Sequence, residues 1–323
     1  MSNKLVSVVI PCFNSGLTLY NTLCSVVNQT YNYWEVICVD DGSNDNTWDI
    51  ICEFSEKYSQ IHGIKRDCSE KGGSVCRNIG IEHAKGKYII FLDGDDLLAP
   101  TCIEHRLNDI VENNSCFCVW PYAYLKNDAP GNNAIDYKVQ NYLYSFASGH
   151  AAWQTTCPIY LTEFVREIGG FDSSFLRLQD IEFGLRAVFY SNGNFIIHKK
   201  NTPPDCYYRP NTEKTRISKY LLALNHYDKL AILVENLVKN GLQLSGIRKR
   251  LVYTCLNLTA YQVYIMCNDS TIRFNSVFHS FDIRKKYGII GALIFFFVNK
   301  MIKSDKYKVF LCRCIKRMIL NFL

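Results

Sequence analysis

Three carboxylates stand within four positions at the end of an apolar run, at Asp93, Asp95 and Asp96. The run Tyr88–Leu92 contains β-branched, aromatic and aliphatic residues, a pattern typical of a buried strand. Carboxylates this close together favour protonation unless a cation lies among them, so the spacing predicts a divalent metal that neutralises these acids. The alternative is a polar turn that closes the strand, since Asp and Gly are common turn residues.

A second pair of acids, Asp180 and Glu182, stands where a helix is predicted to begin. The turn-like segment Gly169–Asp172 precedes them, and the apolar periodicity that follows extends to Tyr190. Acids at a helix N-terminus are stabilised by the helix dipole, which gives this pair a purely structural explanation.

The first hundred residues alternate between short apolar runs and amphipathic segments. This alternation predicts a Rossmann-like α/β fold, a mostly parallel sheet with helices on both faces, in which ligands bind at the carboxyl ends of the strands. Polar residues follow three of the runs, so we expect these strand ends to line one crevice. The three polar segments are Phe13–Asn14, Asp40–Asp41 and Asp93–Asp96, and the earlier predicted strands are Leu5–Ile10, which Pro11 stops, Trp34–Val39 and Ile61–Lys65.

The pattern changes after Thr101 and becomes mainly helical from about Thr215. We therefore expect two domains, residues 1–214 with the sheet and residues 215–323 as a helical C-terminal region. Between them the sequence predicts a helix from Thr101 to Asn113, a strand over Cys116–Tyr122, an exposed loop over Lys126–Ile135, a strand over Asn194–Lys199 and a last segment at Cys206–Arg209.

The apolar run Gly288–Val298 in the C-terminal region is flanked by Lys and Arg on both sides. A membrane-spanning helix needs about twenty apolar residues, and this run is shorter. Basic residues around a short apolar helix suit the surface of an anionic membrane, whereas the alternative is a helix in the core of the C-terminal domain. Both interpretations remain open.

The composition of the 323 residues, with 48% hydrophobic residues and a net charge of +6, excludes a disordered chain. No signal-peptide pattern precedes Leu5, so we expect a reducing cytoplasmic environment despite fifteen cysteines. The pairs Cys116/Cys118 and Cys312/Cys314 lack the spacing of common zinc sites, and we interpret them as small apolar residues.

Six motifs follow one another along the chain, at Ser7–Asn14, Ser25–Tyr31, Val39–Ser43, Arg77–Asn78, Gly86–Tyr88 and Asp93–Asp96. This ordered set resembles the family-2 glycosyltransferases, which have the GT-A fold. The resemblance covers about the first hundred residues and extends more thinly to Asp180 and Arg209. It implies an inverting enzyme that transfers a hexosyl or N-acetylhexosaminyl group from a nucleotide-diphosphate donor, a UDP-sugar, to an acceptor hydroxyl.

The resemblance also implies roles for individual residues around the donor. Asp95 would bind Mn²⁺ or Mg²⁺ directly, and Asp93 would contact the ribose or a metal-bound water. The loop with Pro11, Phe13 and Asn14, together with Asp41, would bind the base and ribose. Arg77 is a candidate for the same pocket or, alternatively, a residue on a helix surface.

An inverting displacement needs a base that takes the proton from the acceptor hydroxyl. The family places an acidic pair at the start of the helix that follows the Gly-Gly-Phe-Asp turn. Here Gln179 replaces the first acid, so we assign Asp180 as the base and Glu182 as the second candidate. Trp153 and Gln154 stand where an acceptor site is expected, although a Trp is more often a core residue.

Two other functions are open to this sequence. A non-catalytic sugar-nucleotide-binding scaffold would keep the donor site, and a nucleotidyltransferase would need basic residues in the loop after the first strand, which Pro11–Gly16 lacks. The expected partners are a nucleotide sugar and a saccharide or lipid-linked saccharide acceptor. Nucleic acid is not expected, because the basic C-terminal end carries apolar runs. The family and the basic end favour bacterial surface polysaccharide synthesis in the cytoplasm, peripheral on the inner face of the membrane.

Overall fold

The computed structural model describes two compact units, which we treat separately. The sheet unit comprises Met1–Tyr137, Trp153–Ser174 and Tyr190–Pro210, and the helical unit comprises Lys138–Ala152, Phe175–Phe189 and Asn211–Leu323. Within them the structure describes residues 4–126, 129–135, 141–198, 202–210, 226–244, 246–267 and 305–322. The predicted domain boundary at residue 214 lies outside these ranges and stays a prediction.

The main sheet of the sheet unit has seven strands in the order β10-β6-β9-β4-β1-β2-β3. The central strands of this sheet are mostly apolar, and their residues are buried on both faces, as in parallel α/β sheets. The strands are β1 Val6–Cys12, β2 Trp34–Asp40, β3 Ile61–Lys65, β4 Tyr88–Phe91, β6 Phe117–Val119, β9 Pro158–Leu161 and β10 Phe195–Ile197.

Strands β4, β1, β2 and β3 are parallel neighbours, so their carboxyl ends lie at the same edge of the sheet. Strand β9 runs antiparallel to both β4 and β6. The expected α/β class is confirmed, with a mixed sheet. Strand β1 continues through Pro11, against the prediction, because β4 pairs only with Val6–Val9 and Pro11 needs no N–H on that side.

A second sheet of four strands has the order β5-β11-β7-β8. The single strand predicted over Cys116–Tyr122 is wrong, because the chain leaves the main sheet after Val119 and enters this second sheet at Tyr122. Pro121, which has no N–H for a ladder, lies at the break. The strands are β5 Leu97–Leu98, β7 Tyr122–Lys126, β8 Ala129–Pro130 and β11 Cys206–Tyr208. The predicted loop over Lys126–Ile135 therefore contains one short strand.

Amphipathic helices pack on the main sheet and turn their apolar residues inward. Helix α3 (Gly73–His83) contacts β1 and β2, α2 (Thr47–Lys57) contacts β3, and α4 (Cys102–Glu112) contacts β6 and β9. These helices bury residues such as Ile51, Ile81 and Leu107, which is why the alternating pattern predicted them correctly. The helices of the sheet unit are α1 Leu19–Val27, α2 Thr47–Lys57, α3 Gly73–His83, α4 Cys102–Glu112 and α6 Thr162–Glu167.

The helical unit contains α5 Tyr142–Ala147, α7 Gln179–Tyr190, α8 His226–Lys239, α9 Gly246–Cys267 and α10 Asp305–Phe322. A Cβ at Gly184 of α7 would lie 2.6 Å from the ring of Phe146 in α5, so only glycine permits this close approach. Within the described ranges, no helix is both long enough and apolar enough to cross a membrane. The run Gly288–Val298 lies outside the described residues.

Candidate functional site

The loops after β1 and β2 are joined by hydrogen bonds at the carboxyl edge of the sheet. The N–H of Asn14 donates to Ser43 Oγ at 3.0 Å, and Asn14 Oδ1 accepts from the N–H of Asn44 at 2.9 Å. The N–H of Asp41 donates to the carbonyl of Cys12 at 2.8 Å. Asn14 has φ 49°, a left-handed conformation that Asn tolerates better than most residues. The predicted neighbourhood of Phe13–Asn14 and Asp40–Asp41 is therefore observed.

The turn Asp93–Asp96 after β4 contacts the same β1 loop. Thr18 Oγ1 donates to the carbonyl of Gly94 at 2.9 Å. A Cβ at Gly94 would lie 3.2 Å from Ser15 Oγ and 3.4 Å from the carbonyl oxygen of Pro11, so a small residue is needed here. All three polar segments thus meet at one edge of the sheet, as expected for neighbouring parallel strands.

The three carboxylates of this turn lie in three different environments. Asp96 is only 1% exposed, and its two oxygens accept from Thr156 Oγ1 at 2.8 Å and from the N–H of Arg209 at 2.9 Å. Burial raises the pKa of Asp96, and the nearby charges of Asp93 and Asp95 raise it further. Protein donors thus contact both oxygens of Asp96, and the interpretation that one metal neutralises all three acids stays a prediction. Asp93 and Asp95 are only half-buried.

Arg77 is held against this turn from helix α3. Its guanidinium forms an ion pair with Asp93 at 2.5 Å and lies 5.2 Å from the ring centroid of Phe171. Phe171 is itself fixed by Asn78, whose side chain exchanges hydrogen bonds of 2.8 and 2.7 Å with the backbone of Phe171. Arg77 is buried, so the alternative of a surface helix residue is wrong.

Asp41 carries a second ion pair that sequence reasoning missed, with Arg66. The other oxygen of Asp41 accepts from the N–H of Gly72 at 2.9 Å, and Gly72 has φ 112°, which glycine adopts without strain. Arg66 follows directly after β3, the parallel neighbour of β2, and this position was the available signal. Pro11 is half-buried, whereas the Phe13 ring is 56% exposed at the edge of the crevice.

The donor set of the turn suits a hard divalent cation, because carboxylate oxygens are the preferred ligands of Mg²⁺ and Mn²⁺. Asp93 and Asp95 bring negative charge to this turn, and the ion pair of Arg77 with Asp93 offsets part of it. In the described part of the chain, no group of three or more His, Cys, Asp or Glu side chains is arranged to hold a metal. A six-coordinate cation at this turn would need further oxygen ligands besides these carboxylates.

The remaining predicted site residues lie in varied surroundings. Trp153 is 3% exposed in the sheet unit, where its ring lies 6.0 Å from that of Phe117, so the core explanation holds for this side chain. Gln154 is half-buried. In the helical unit, Asp180 Oδ1 accepts from the N–H of Ile181 at 3.0 Å. Glu182 is buried and paired with Arg186 one turn along α7.

Comparison with known proteins gives a family match for the part of the chain that carries this edge. Residues 7–165 match the family model described as glycosyl transferase family 2. Over 129 residues the chain is 33% identical to UDP-Glc:alpha-D-GlcNAc-diphosphoundecaprenol beta-1,3-glucosyltransferase WfgD of Escherichia coli, a match that covers 40% of this chain and 50% of WfgD. The chain thus spans about half the length of this curated relative.

Two solved structures are similar over most of the chain. TarS 1-349 of S. aureus in complex with UDP-GlcNAc has a TM-score of 0.57 at 14% identity, and the match covers 98% of this chain and 89% of TarS 1-349. The mannosyltransferase PcManGT from Pyrobaculum calidifontis, in complex with GDP-Man and Mn²⁺, has a TM-score of 0.52 at 15% identity, with coverage of 89% and 84%. At these identities the likeness shows the fold alone, an α/β fold similar to that of the GT-A glycosyltransferases.

Proposed function

We propose that this protein is a glycosyltransferase that moves a hexosyl or N-acetylhexosaminyl group from a UDP-sugar to an acceptor hydroxyl. The observation that carries this proposal is the meeting of the three polar strand ends around the Asp93–Asp96 turn. The family match over residues 7–165 and the name of WfgD, a transferase that uses UDP-Glc, support it.

Donor binding is assigned to the loops after β1 and β2. Pro11, Phe13 and Asn14 would enclose the base and ribose, and the exposed Phe13 ring offers an apolar face for a planar base. Asp41 is pre-oriented by Arg66 and by the N–H of Gly72, and an ionised carboxylate can accept a further hydrogen bond from a base edge. The role of Arg77 is to hold Asp93 in place for the ribose.

The diphosphate is assigned to the turn after β4, with Asp95 as the metal-binding carboxylate. When bound there, Mn²⁺ or Mg²⁺ supplies positive charge to the leaving diphosphate. The Mn²⁺ named with PcManGT is consistent with this cofactor class. Asp96 lies buried behind the turn and fixes its shape through Thr156 and Arg209.

The transfer is proposed to proceed with inversion, with Asp180 as the general base. The acceptor oxygen forms a bond to the anomeric carbon, the bond from that carbon to the diphosphate breaks, and the acceptor proton moves to Asp180. Asp180 is favoured over Glu182 because Glu182 is buried and its charge is already paired with Arg186. Asp180 lies in the first turn of α7, where the helix dipole favours a negative charge.

The acceptor is proposed to be a saccharide on a lipid carrier in bacterial surface polysaccharide synthesis. WfgD, by its name, acts on a GlcNAc-diphosphoundecaprenol, which is a lipid-linked saccharide. Such an acceptor places the reaction at the cytoplasmic face of the membrane, with the protein bound peripherally. The basic residues near the C-terminal end supply the attraction to anionic lipid.

Calorimetric binding of UDP-glucose and UDP-GlcNAc, with and without Mn²⁺, tests the donor assignment. We expect Mn²⁺-dependent binding by the wild type, a loss of at least about tenfold in affinity for Asp95→Ala, and unchanged binding for Asp180→Asn. Asp49→Ala, at an exposed acid in α2, is the matched control and should bind like the wild type. Absence of binding under every metal condition would contradict the proposal and, equally, the alternative of a sugar-nucleotide-binding scaffold.

A further inference from the structure

Three tyrosines form a cluster on one face of the second sheet. In the parallel pair of β11 and β7, Tyr208 stands opposite Tyr124, and Tyr122 lies two residues earlier on β7, so all three side chains share a face. The ring centroids are 5.6 Å apart for Tyr122 and Tyr124, 6.1 Å for Tyr122 and Tyr208, and 6.0 Å for Tyr124 and Tyr208, all edge to face. Tyr122 is buried, Tyr208 is half-buried and Tyr124 is 44% exposed.

This tyrosine cluster is physically connected to the Asp93–Asp96 turn. Arg209 directly follows Tyr208, and its N–H donates to Asp96 Oδ1 at 2.9 Å while its Nε donates to the carbonyl of Asp95 at 3.1 Å. Strand β5, which begins right after the turn, pairs with β11. The turn is therefore held by Thr18 on the donor loop and, through different atoms, by Arg209 at the end of the strand that carries Tyr208.

The chemistry of the cluster suits a neutral sugar ring. An aromatic ring offers an apolar face to the C–H groups of a pyranose, and its hydroxyl can hydrogen-bond a sugar hydroxyl at a small entropy cost. Burial raises the pKa of Tyr122, so the innermost phenol keeps its proton at neutral pH. The buried Tyr122 supports the other two rings, which fixes their orientation before a ligand binds.

We propose that Tyr124 and Tyr208 form the surface that binds the pyranose ring of the acceptor. This inference rests on the proposed function, because it assigns the acceptor side of the same site. Tyr208 ends β11 and is followed by Arg209, which contacts Asp95 and Asp96, and Tyr124 stands on the paired strand β7. The donor loops, by contrast, follow β1 and β2. Trp153, the aromatic residue expected to have this role, is buried against Phe117.

Saturation-transfer NMR with methyl β-D-glucopyranoside and methyl N-acetyl-β-D-glucosaminide tests the surface directly. We expect the wild type to bind at least one of them, and Tyr124→Ala and Tyr208→Ala to bind it about 2- to 10-fold more weakly, the range of one aromatic contact. Tyr208→Phe should keep most of the binding, because the ring remains. The matched control is Tyr33→Ala. Tyr33 is 44% exposed, like Tyr124, and it lies just before the start of β2, away from the carboxyl end of that strand.

UDP binding, measured on the same samples, separates failure of this inference from failure of the proposed function. If UDP binds but neither pyranoside does, or if Tyr33→Ala weakens pyranoside binding as much as Tyr124→Ala, the tyrosine surface is wrong and the donor assignment stands. If the wild type binds no UDP, the proposed function is wrong, and with it the acceptor role of the tyrosines. Far-ultraviolet circular dichroism of each variant ensures that only folded samples are compared.

Discussion

The sheet unit uses Arg–carboxylate pairs in two different settings. Arg106 and Asp205 form a fork-like pair inside the protein, with Nε–Oδ2 and Nη2–Oδ1 distances of 2.7 and 2.6 Å. The remaining nitrogen of Arg106 donates to the carbonyl of Thr156 at 2.7 Å, so the guanidinium is fully surrounded by acceptors. At the carboxyl edge of the main sheet, by contrast, Arg77 pairs with Oδ1 of Asp93, a side chain that is 35% exposed to solvent.

The difference shows which charges hold the fold and which are available to a ligand. A buried pair whose hydrogen bonds are all satisfied has no donor or acceptor available for a ligand. Removal of one partner leaves the other charge unpaired in an apolar interior. The Arg77–Asp93 and Arg66–Asp41 pairs orient carboxylates that keep 35% and 12% exposure, and an ionised carboxylate can accept more hydrogen bonds than these pairs use. The Arg106–Asp205 pair therefore stabilises the fold, whereas the Arg77–Asp93 and Arg66–Asp41 pairs orient carboxylates for a ligand.

The largest effect is expected from Arg106→Met, which leaves Asp205 buried without its cation. Unfolding by urea should show a loss of about 3–5 kcal/mol in the free energy of unfolding. The double variant Arg106→Met with Asp205→Leu should recover most of this loss, because no lone charge remains. A single variant as stable as the wild type would show that water reaches the pair, and the contrast with the crevice would then fail.

Local pattern predicted much of the sheet but could not predict these partners. The run that ends at Leu92 identified its own strand, since alternation and composition are local signals. The hydrogen bonds that Asp96 accepts come from Thr156 and Arg209, which are 60 and 113 positions away in the sequence. Arg106 is likewise 99 positions from Asp205. Such contacts follow from the arrangement of whole strands, and a single sequence carries no direct record of them.

The break between β6 and β7 was missed for a related reason. Residues 116–122 have one continuous apolar character, which a strand of either sheet would satisfy. Only the backbone bonds divide them: Trp120 donates to Cys157 at 3.2 Å, and Pro121 accepts from Asp205, also at 3.2 Å. Pro121 was the local signal for this break. The buried position of Trp153 was, in turn, the ordinary expectation for a tryptophan.

A second prediction sharpens the contrast at the crevice itself. Arg77→Met removes the cation that offsets Asp93, so the turn becomes more negative while Asp93 loses its fixed orientation. Binding of Mn²⁺ alone should tighten by about 2- to 10-fold, as expected for one unit charge at a partly screened site. Binding of a UDP-sugar should weaken over the same range. Calorimetry with each ligand measures both changes.

Arg166→Met is the matched control for the expected gain in Mn²⁺ affinity and loss in UDP-sugar affinity. Arg166, in α6, is exposed, and its guanidinium donates to the carbonyls of Ile81 and Ala84 at 2.9 and 2.7 Å. Its loss should lower stability and leave the affinity for Mn²⁺ unchanged. If Arg77→Met weakens the binding of both Mn²⁺ and UDP-sugar, Arg77 supports the turn only mechanically, as Arg106 does.

The smallest effect is expected at Asp45, an exposed acid that ties the donor loop to helix α2. Asp45 accepts from the N–H of Gly16 at 2.9 Å and from the hydroxyl and N–H of Thr47, and the Thr47 hydroxyl is the main cause that lowers the pKa of Asp45. Because the folded-state pKa lies below the ordinary value of 3.8, this contribution is present above that value and is lost as the pH falls through the lowered pKa. Asp45→Asn should therefore flatten the fall of the unfolding free energy below pH 4, by at most about 1 kcal/mol because water screens the charge.

Glu112→Gln, at an exposed acid that ends α4, should keep the wild-type slope. An identical slope for Asp45→Asn would mean that the loop is held by Asn14, Ser15 and their backbone bonds without help from this carboxylate.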